Sequence, residues 1–136
     1  MTLALACAPM SETTTGDGGR GTPHDPDCLF CRVVDGDVPA DLVAEDEWAV
    51  AFRDVDPKAP VHVLVVPRAH HRDVGVLAQA DPEAMLAVLR LAGQVAEDQA
   101  GGQYRLVFNS GRQAGQSVWH VHAHVLGGRD MTWPPG

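Results

Sequence analysis

The chain has 136 residues, a length that suits one domain, and 45% of them are hydrophobic, an ordinary share for a globular protein. With 18 acidic against 10 basic side chains, a formal charge of -8 and Lys58 as the only lysine, it lacks the clustered cations of non-specific nucleic-acid binders. Nucleic acid is therefore not expected as a partner, and an anionic ligand has to be drawn by local N–H donors and imidazoles rather than by the overall field.

The opening Met1-Thr2-Leu3-Ala4-Leu5-Ala6-Cys7-Ala8 is apolar but short and lacks a basic start, which makes a poor signal peptide, and Met10-Ser11-Glu12 serves equally well as a start. No membrane span is expected. Three cysteines without a secretion signal point to a reducing, cytoplasmic compartment. Residues 1–25, rich in Gly, Thr, Asp and Pro, read as a disordered tail, and residues 26–136 as the folded domain.

From Cys28 the pattern changes. Cys28-Leu29-Phe30-Cys31-Arg32-Val33-Val34 reads as a knuckle leading into a short helix, ended by Asp35-Gly36-Asp37 before Pro39. A strand is expected over Leu42–Glu45, and Trp48, Val50 and Phe52 alternate as a second, paired through an Asp46-Glu47 turn. The β-branched run at 61–66, stopped by Pro67, is a third. A loop follows. Asp81-Pro82-Glu83 then gives an N-cap with proline at the first helical position, and Met85, Val88, Leu89, Ala92, Val95 and Ala96 form one apolar face up to Gly101-Gly102. Residues 104–109 read as a fourth strand, residues 110–117 as a polar glycine-bearing loop, and the histidine-rich segment after it as a fifth strand. The expected class is α+β, with a five-stranded, mostly antiparallel sheet, one main helix and a short N-terminal helix.

The fifth strand carries the chemistry. In His120-Val121-His122-Ala123-His124-Val125-Leu126, strand alternation places His120, His122 and His124 on one face and Val121, Ala123 and Val125 on the other. A strand rises about 3.3 Å per residue, so His120 and His124 stand roughly 13 Å apart, too far for one ion to take all three imidazoles. The middle residue, His122, instead suits a nucleophile, since a neutral imidazole attacks phosphorus when its other nitrogen donates a hydrogen bond that fixes the tautomer. The adjoining loop offers N–H groups made approachable by Gly111 and Gly115, together with the Ser117 hydroxyl, to a phosphoryl group. His124 is placed to touch the same phosphate. The intermediate would be a nucleotidyl- or phosphoryl-histidine, resolved by water. Cys28-Leu29-Phe30-Cys31 is ambiguous by itself. The acidic Asp25 and Asp27 before it disfavour a redox thiolate, and no finger-spaced histidine pair follows it.

The row resembles the histidine-triad superfamily, whose signature is His-φ-His-φ-His-φ-φ with φ apolar. Residues 115–129, the terminal Trp133-Pro134-Pro135-Gly136, and the segments 51–57 and 59–67 are similar to the histidine-triad nucleotide-binding (Hint) branch. Gly127-Gly128 stands where the fragile-histidine-triad branch has Pro-Arg. The resemblance implies His122 as the nucleophile, His124 and Ser117 at the phosphate and leaving group, and His62 as a partner of the triad. It implies Asp54 on the ribose hydroxyls, and Asn109, Gly115, Gln116 and Ser117 as nucleotide contacts. It also implies a homodimer joining two sheets, with Trp133 reaching the partner's site.

Substrates of that branch are purine nucleoside phosphoramidates and aminoacyl-adenylates, and the expected partner is a small molecule containing a purine nucleoside monophosphate. Many bacterial members carry the Cys pair with a histidine from Pro-x-x-His and the first triad histidine. The implied zinc ligands are thus Cys28, Cys31, His70 and His120, with His71 as the rival of His70. Without the resemblance, Asp54 is a turn acid, Ser117 a turn cap, His62 a core histidine, Asn109 a loop brace, Trp133 a surface cover, and the cysteines free buried thiols. The rival functions are a dinucleoside polyphosphate hydrolase and a non-catalytic nucleotide-binding adaptor.

Overall fold

A computed structural model describes residues 24–136. The tail expected over residues 1–25, Cys7 included, lies almost wholly outside them. The elements run α1 (Leu29–Val34), β1 (Leu42–Glu45), β2 (Ala49–Arg53), β3 (Val61–Pro67), α2 (Val74–Ala80), α3 (Pro82–Ala100), β4 (Tyr104–Phe108), a 3-10 turn (Arg112–Ala114) and β5 (Ala123–Gly127). The five strands form one sheet in the order β1-β2-β3-β5-β4, every pair antiparallel. The class is α+β, as the alternating apolar runs and the single long helical period indicate. Among the described residues, no helix is long and apolar enough to cross a membrane.

Strand alternation divides the sheet. Ala49, Ala51, Val63, Val65, Ala123 and Val125 face α3 and bury against Val88, Leu91, Ala92 and Val95. Val50, Phe52, Leu64 and Val66 face the other way, where α1 covers part of the sheet with Phe30, Cys31 and Val33. His62 and His124, on the same alternation as Leu64, lie beside that cover. α3 begins as read: the Asp81 side chain accepts from Ala84 N–H, Pro82 stands in the first turn, and left-handed Gly101 ends the helix. Its buried face is rotated slightly from the expected one. Leu91 is buried and Leu89 is 39% exposed, because a face centred on Val88, Ala92 and Val95 takes in Ala84 and Leu91 at helical spacing.

Two expectations are corrected. The segment read as a plain loop before α3 contains α2. Its Asp73 cap accepts from Val76 N–H at 3.0 Å, and fully buried Leu77 anchors it, so packing overrides its β-branched, glycine-bearing sequence. The fifth strand starts at Ala123, so only His124 of the three histidines lies in it. The ladder ends at the Val65–Ala123 pair, two residues short of Pro67, which has no N–H to continue it. The Pro67 carbonyl accepts from His120 Nε2 at 2.8 Å, and Val121 N–H turns to the His71 carbonyl at 2.8 Å.

The end of β5 touches the end of α3 closely. A Cβ on Gly127 would stand 2.7 Å from Ala100 Cβ and 3.1 Å from the Gln103 carbonyl oxygen. Gly127→Ala is expected to destabilise the domain by about 1–3 kcal/mol, the usual cost of overpacking. A urea melt with an unchanged midpoint would contradict that close approach.

Candidate active site and metal centre

Each ring tautomer of the histidine group follows from its hydrogen bonds. Burial pushes the pKa of His62, His120, His122 and His124 below the ordinary histidine value, to about 4 for His120 and His124, so all four rings are neutral at pH 7. His122 Nδ1 lies 2.8 Å from the His120 carbonyl oxygen. A carbonyl only accepts, so Nδ1 carries the proton and Nε2 keeps its lone pair.

A second chain of bonds fixes His124. Lys58 N–H donates to His62 Nδ1 at 3.0 Å, which leaves the His62 proton on Nε2. That N–H points at His124 Nδ1, 2.9 Å away, with Asp54 Oδ2 at 3.4 Å as the longer alternative. His124 is therefore protonated on Nε2, and this N–H is buried with no partner among the described residues. An orphaned buried donor is costly unless a ligand completes it. Asp54, His62 and His124 also have the composition of a metal set. The backbone N–H on His62 Nδ1 argues instead for a hydrogen-bonded relay, because the Nε2 that faces the group bears a proton. Asp54 is held by its own turn, its Oδ1 accepting from Asp56 N–H at 2.8 Å.

The loop is braced from within. Gln116, 3% exposed, accepts Gly111 N–H on Oε1 at 2.9 Å and donates from Nε2 to the carbonyls of Arg72 and Val118 at 2.7 and 3.1 Å. Its amide is thereby committed to backbone, so its part in a nucleotide site is to shape the loop rather than to reach a ligand. Gly115 needs its φ of 95°, and a Cβ there would meet Asn109 Nδ2 at 3.8 Å, so these two expected residues are neighbours. Ser117 is exposed at the loop's end. Trp133 is 80% exposed, and Arg105 Cζ of the edge strand lies 5.8 Å from its ring centroid.

Cys28, Cys31, His70 and His120 converge, with their ligand atoms all within 4.8 Å of one another. Cys28 Sγ lies 3.5 Å from His120 Nδ1, and Cys31 Sγ lies 3.5 Å from His70 Nδ1 and 3.6 Å from His120 Nδ1. Zinc bonds of about 2.3 Å to sulfur and about 2.0–2.1 Å to nitrogen, at a tetrahedral angle, separate S and N by about 3.5–3.6 Å. The residues fit the ion. The Nε2–H of His120 on the Pro67 carbonyl turns its Nδ1 lone pair toward the thiols, the outer-shell arrangement that orients a histidine ligand. Backbone N–H groups of Asp25 and Cys31 lie 3.4 Å from Cys31 Sγ and Cys28 Sγ. Without a cation, burial pushes the Cys31 thiol up to about 12, and coordination reverses that penalty. His71 is buried next door, its Nε2 without a partner among the described residues, but it does not join the cluster.

Sequence reasoning missed two contributors. Phe30, between the two cysteines, sets its ring against His122 at 5.1 Å and 85°. Its position inside the knuckle was the only signal. The Lys58 N–H that fixes His62 leaves no trace in residue type.

An α+β domain with a histidine cluster on one sheet face and a glycine loop beside it defines a recognisable class. A family profile for the HIT domain matches residues 35–131. An uncharacterized HIT-like protein of Synechocystis sp. is 46% identical over 114 residues, covering 81% of this chain and 97% of its own. The crystal structure of a HIT family hydrolase from Legionella pneumophila superposes with a TM-score of 0.77 at 43% identity, covering 81% of this chain and all of that one. A HIT family hydrolase from Clostridium thermocellum gives a TM-score of 0.74 at 38% identity, covering 79% and 95%. The chain belongs to the HIT domain family.

Proposed function

We propose that the protein is a hydrolase that transfers a nucleoside monophosphate to His122 and then to water, with purine nucleoside phosphoramidates and aminoacyl-adenylates as substrates. The observation that carries this reading is the pair of fixed tautomers: a free lone pair on His122 Nε2 and an unpartnered buried N–H on neighbouring His124, whose ring centroids are 5.0 Å apart. His122 Nε2 attacks phosphorus and the bond to the leaving nitrogen or carboxylate breaks. A departing amine takes up a proton relayed from solvent by the Ser117 hydroxyl. The His124 N–H donates to a non-bridging oxygen, and His62, fixed by the Lys58 N–H, holds His124 in the donating tautomer. Water then cleaves the P–N bond to His122, releasing the nucleoside monophosphate and a proton and restoring the neutral ring. Asp54 accepts from the ribose hydroxyls, while Asn109, Gly115 and Ser117 line the phosphate.

Zinc is the ion proposed for Cys28, Cys31, His70 and His120. Two thiolates and two neutral imidazoles would neutralise it in a closed tetrahedral set, and its contribution is to cross-link the α1 knuckle to the catalytic segment. The protein is proposed to act in the cytoplasm as a homodimer, supported by the exposed Leu86, Leu89 and Tyr104 on α3 and the edge strand β4. In that dimer Trp133 would reach the partner's site. The test of substrate class is a panel. Adenosine 5′-phosphoramidate and aminoacyl-adenylates should turn over faster than diadenosine tri- or tetraphosphate. The reverse order points to a polyphosphate hydrolase, and tight AMP binding with negligible turnover on all of them points to an adaptor.

The pH dependence follows from the neutral rings. His122 must be unprotonated to attack, and burial lowers its pKa from 6.5, so kcat/KM is expected to hold as pH falls to 6.5 and to decline only below it. Stability follows the same sign. The unfolded chain binds a proton on His124 near pH 6.5 and the folded one only near 4, so stability is lost as pH falls between these values. An acid limb centred at or above 6.5 in a pH–rate profile would contradict the neutral-nucleophile assignment.

A further inference from the structure

We propose that the metal centre does more than cross-link the fold: through His120 it holds the nucleophile in its attacking tautomer, which makes His120 a positioning residue. The inference rests on the metal reading above.

His120 works at both ends. Its fully buried ring presents Nδ1 to the two thiols at 3.5 and 3.6 Å and anchors Nε2–H on the Pro67 carbonyl at 2.8 Å. Its own carbonyl accepts the Nδ1–H of His122 at 2.8 Å. The atom that selects the nucleophile's tautomer thus belongs to a residue whose ring is a metal ligand. The sheet does not fix that carbonyl, because β5 begins only at Ala123 and the Val121 N–H goes to His71. What fixes it is the anchorage of the ring and that one loop bond.

A second route runs through the knuckle. Phe30 stands between the two cysteines and packs edge-on against His122 at 5.1 Å and His120 at 6.1 Å. When the four ligands lose their ion, the polar tie between knuckle and histidine segment falls to weak S···N contacts, and apolar packing through Phe30 is what remains beside them. Both the carbonyl and the phenyl edge then gain freedom beside His122. The nucleotide-binding candidates Asp54, Asn109 and Gly115 lie on other segments, so a loss of metal should fall on kcat rather than on KM.

The experiment uses the full-length protein as purified, the same protein after chelation, and His70→Asn, which removes the least buried ligand and leaves His120 in place. Zinc content, the far-ultraviolet CD melt, kcat and KM, and 15N NMR of the His122 ring are measured on each. One zinc per chain is expected in the first sample. In folded apo protein kcat should fall about 10- to 100-fold, the usual scale for a displaced reacting group, with KM within about twofold. His122 should also shift from the pure Nδ1–H tautomer to a mixture. Added zinc should restore both, and His70→Asn should recover only at higher zinc. A folded apo protein that keeps its kcat and its Nδ1–H tautomer would overturn the positioning role and leave the metal reading standing. Protein that holds no zinc and takes none up would overturn both.

Discussion

Replacing His122 with alanine is expected to lower kcat/KM on a phosphoramidate by about six orders of magnitude, the scale seen when a covalent nucleophile is lost while binding groups remain. The substitution removes the one ring whose hydrogen bond to the His120 carbonyl leaves Nε2 unprotonated. It leaves His62, His124 and Asp54 in place, so binding of the nucleoside monophosphate product should change far less than turnover. The two must be measured together, by steady-state kinetics and by calorimetric titration with AMP. His122 is only 8% exposed and packs on Phe30, so the variant opens a small cavity, and a CD melt establishes that it is folded. A folded variant with full turnover would contradict the assignment of the nucleophile.

The double substitution Cys28→Ala/Cys31→Ala is expected to abolish zinc binding and to lower stability sharply. A ligand bound only by the folded state contributes about 4 kcal/mol when its free concentration is a thousandfold above Kd. For a domain of this size that is a fall in Tm of roughly 10–25 °C. The loss comes from two sources: the linkage itself, and a buried His120 Nδ1 left without a partner while its Nε2 stays on Pro67. Elemental analysis and scanning calorimetry, with chelated wild type as the reference, check it. If zinc accounts for most of the effect, chelated wild type should show most of the fall, and the double variant should melt only slightly lower, by the orphaned His120 Nδ1. Native protein that contains no zinc, or a double variant that melts like the zinc-loaded protein, would contradict the account.

The sheet was legible because its strands carry alternating or β-branched runs whose period is strong and local. α3 was legible because Asp81, Pro82 and Gly101 mark both ends. α2 was not, since seven residues held by one cap and one buried leucine leave little periodic signal. The candidate site was legible in residue type at the histidine row and at the two cysteines. Its division of labour was not, because it depends on long-range bonds. His120 leaves the strand because Pro67 ends the ladder and offers its carbonyl to the ring. Gln116 proves to be a brace because both ends of its amide meet backbone. The His124 tautomer depends on a backbone N–H of Lys58, which any residue but proline supplies.

Intact-protein and peptide mass spectrometry after a brief quench with a slowly hydrolysed adenosine phosphoramidate tests the central claim most directly. The account predicts one added adenylate per active site, on the peptide containing His122, acid-labile as a P–N bond is. Turnover with no adduct under any quench, or an adduct on His120, His124 or Ser117 in place of His122, would contradict it.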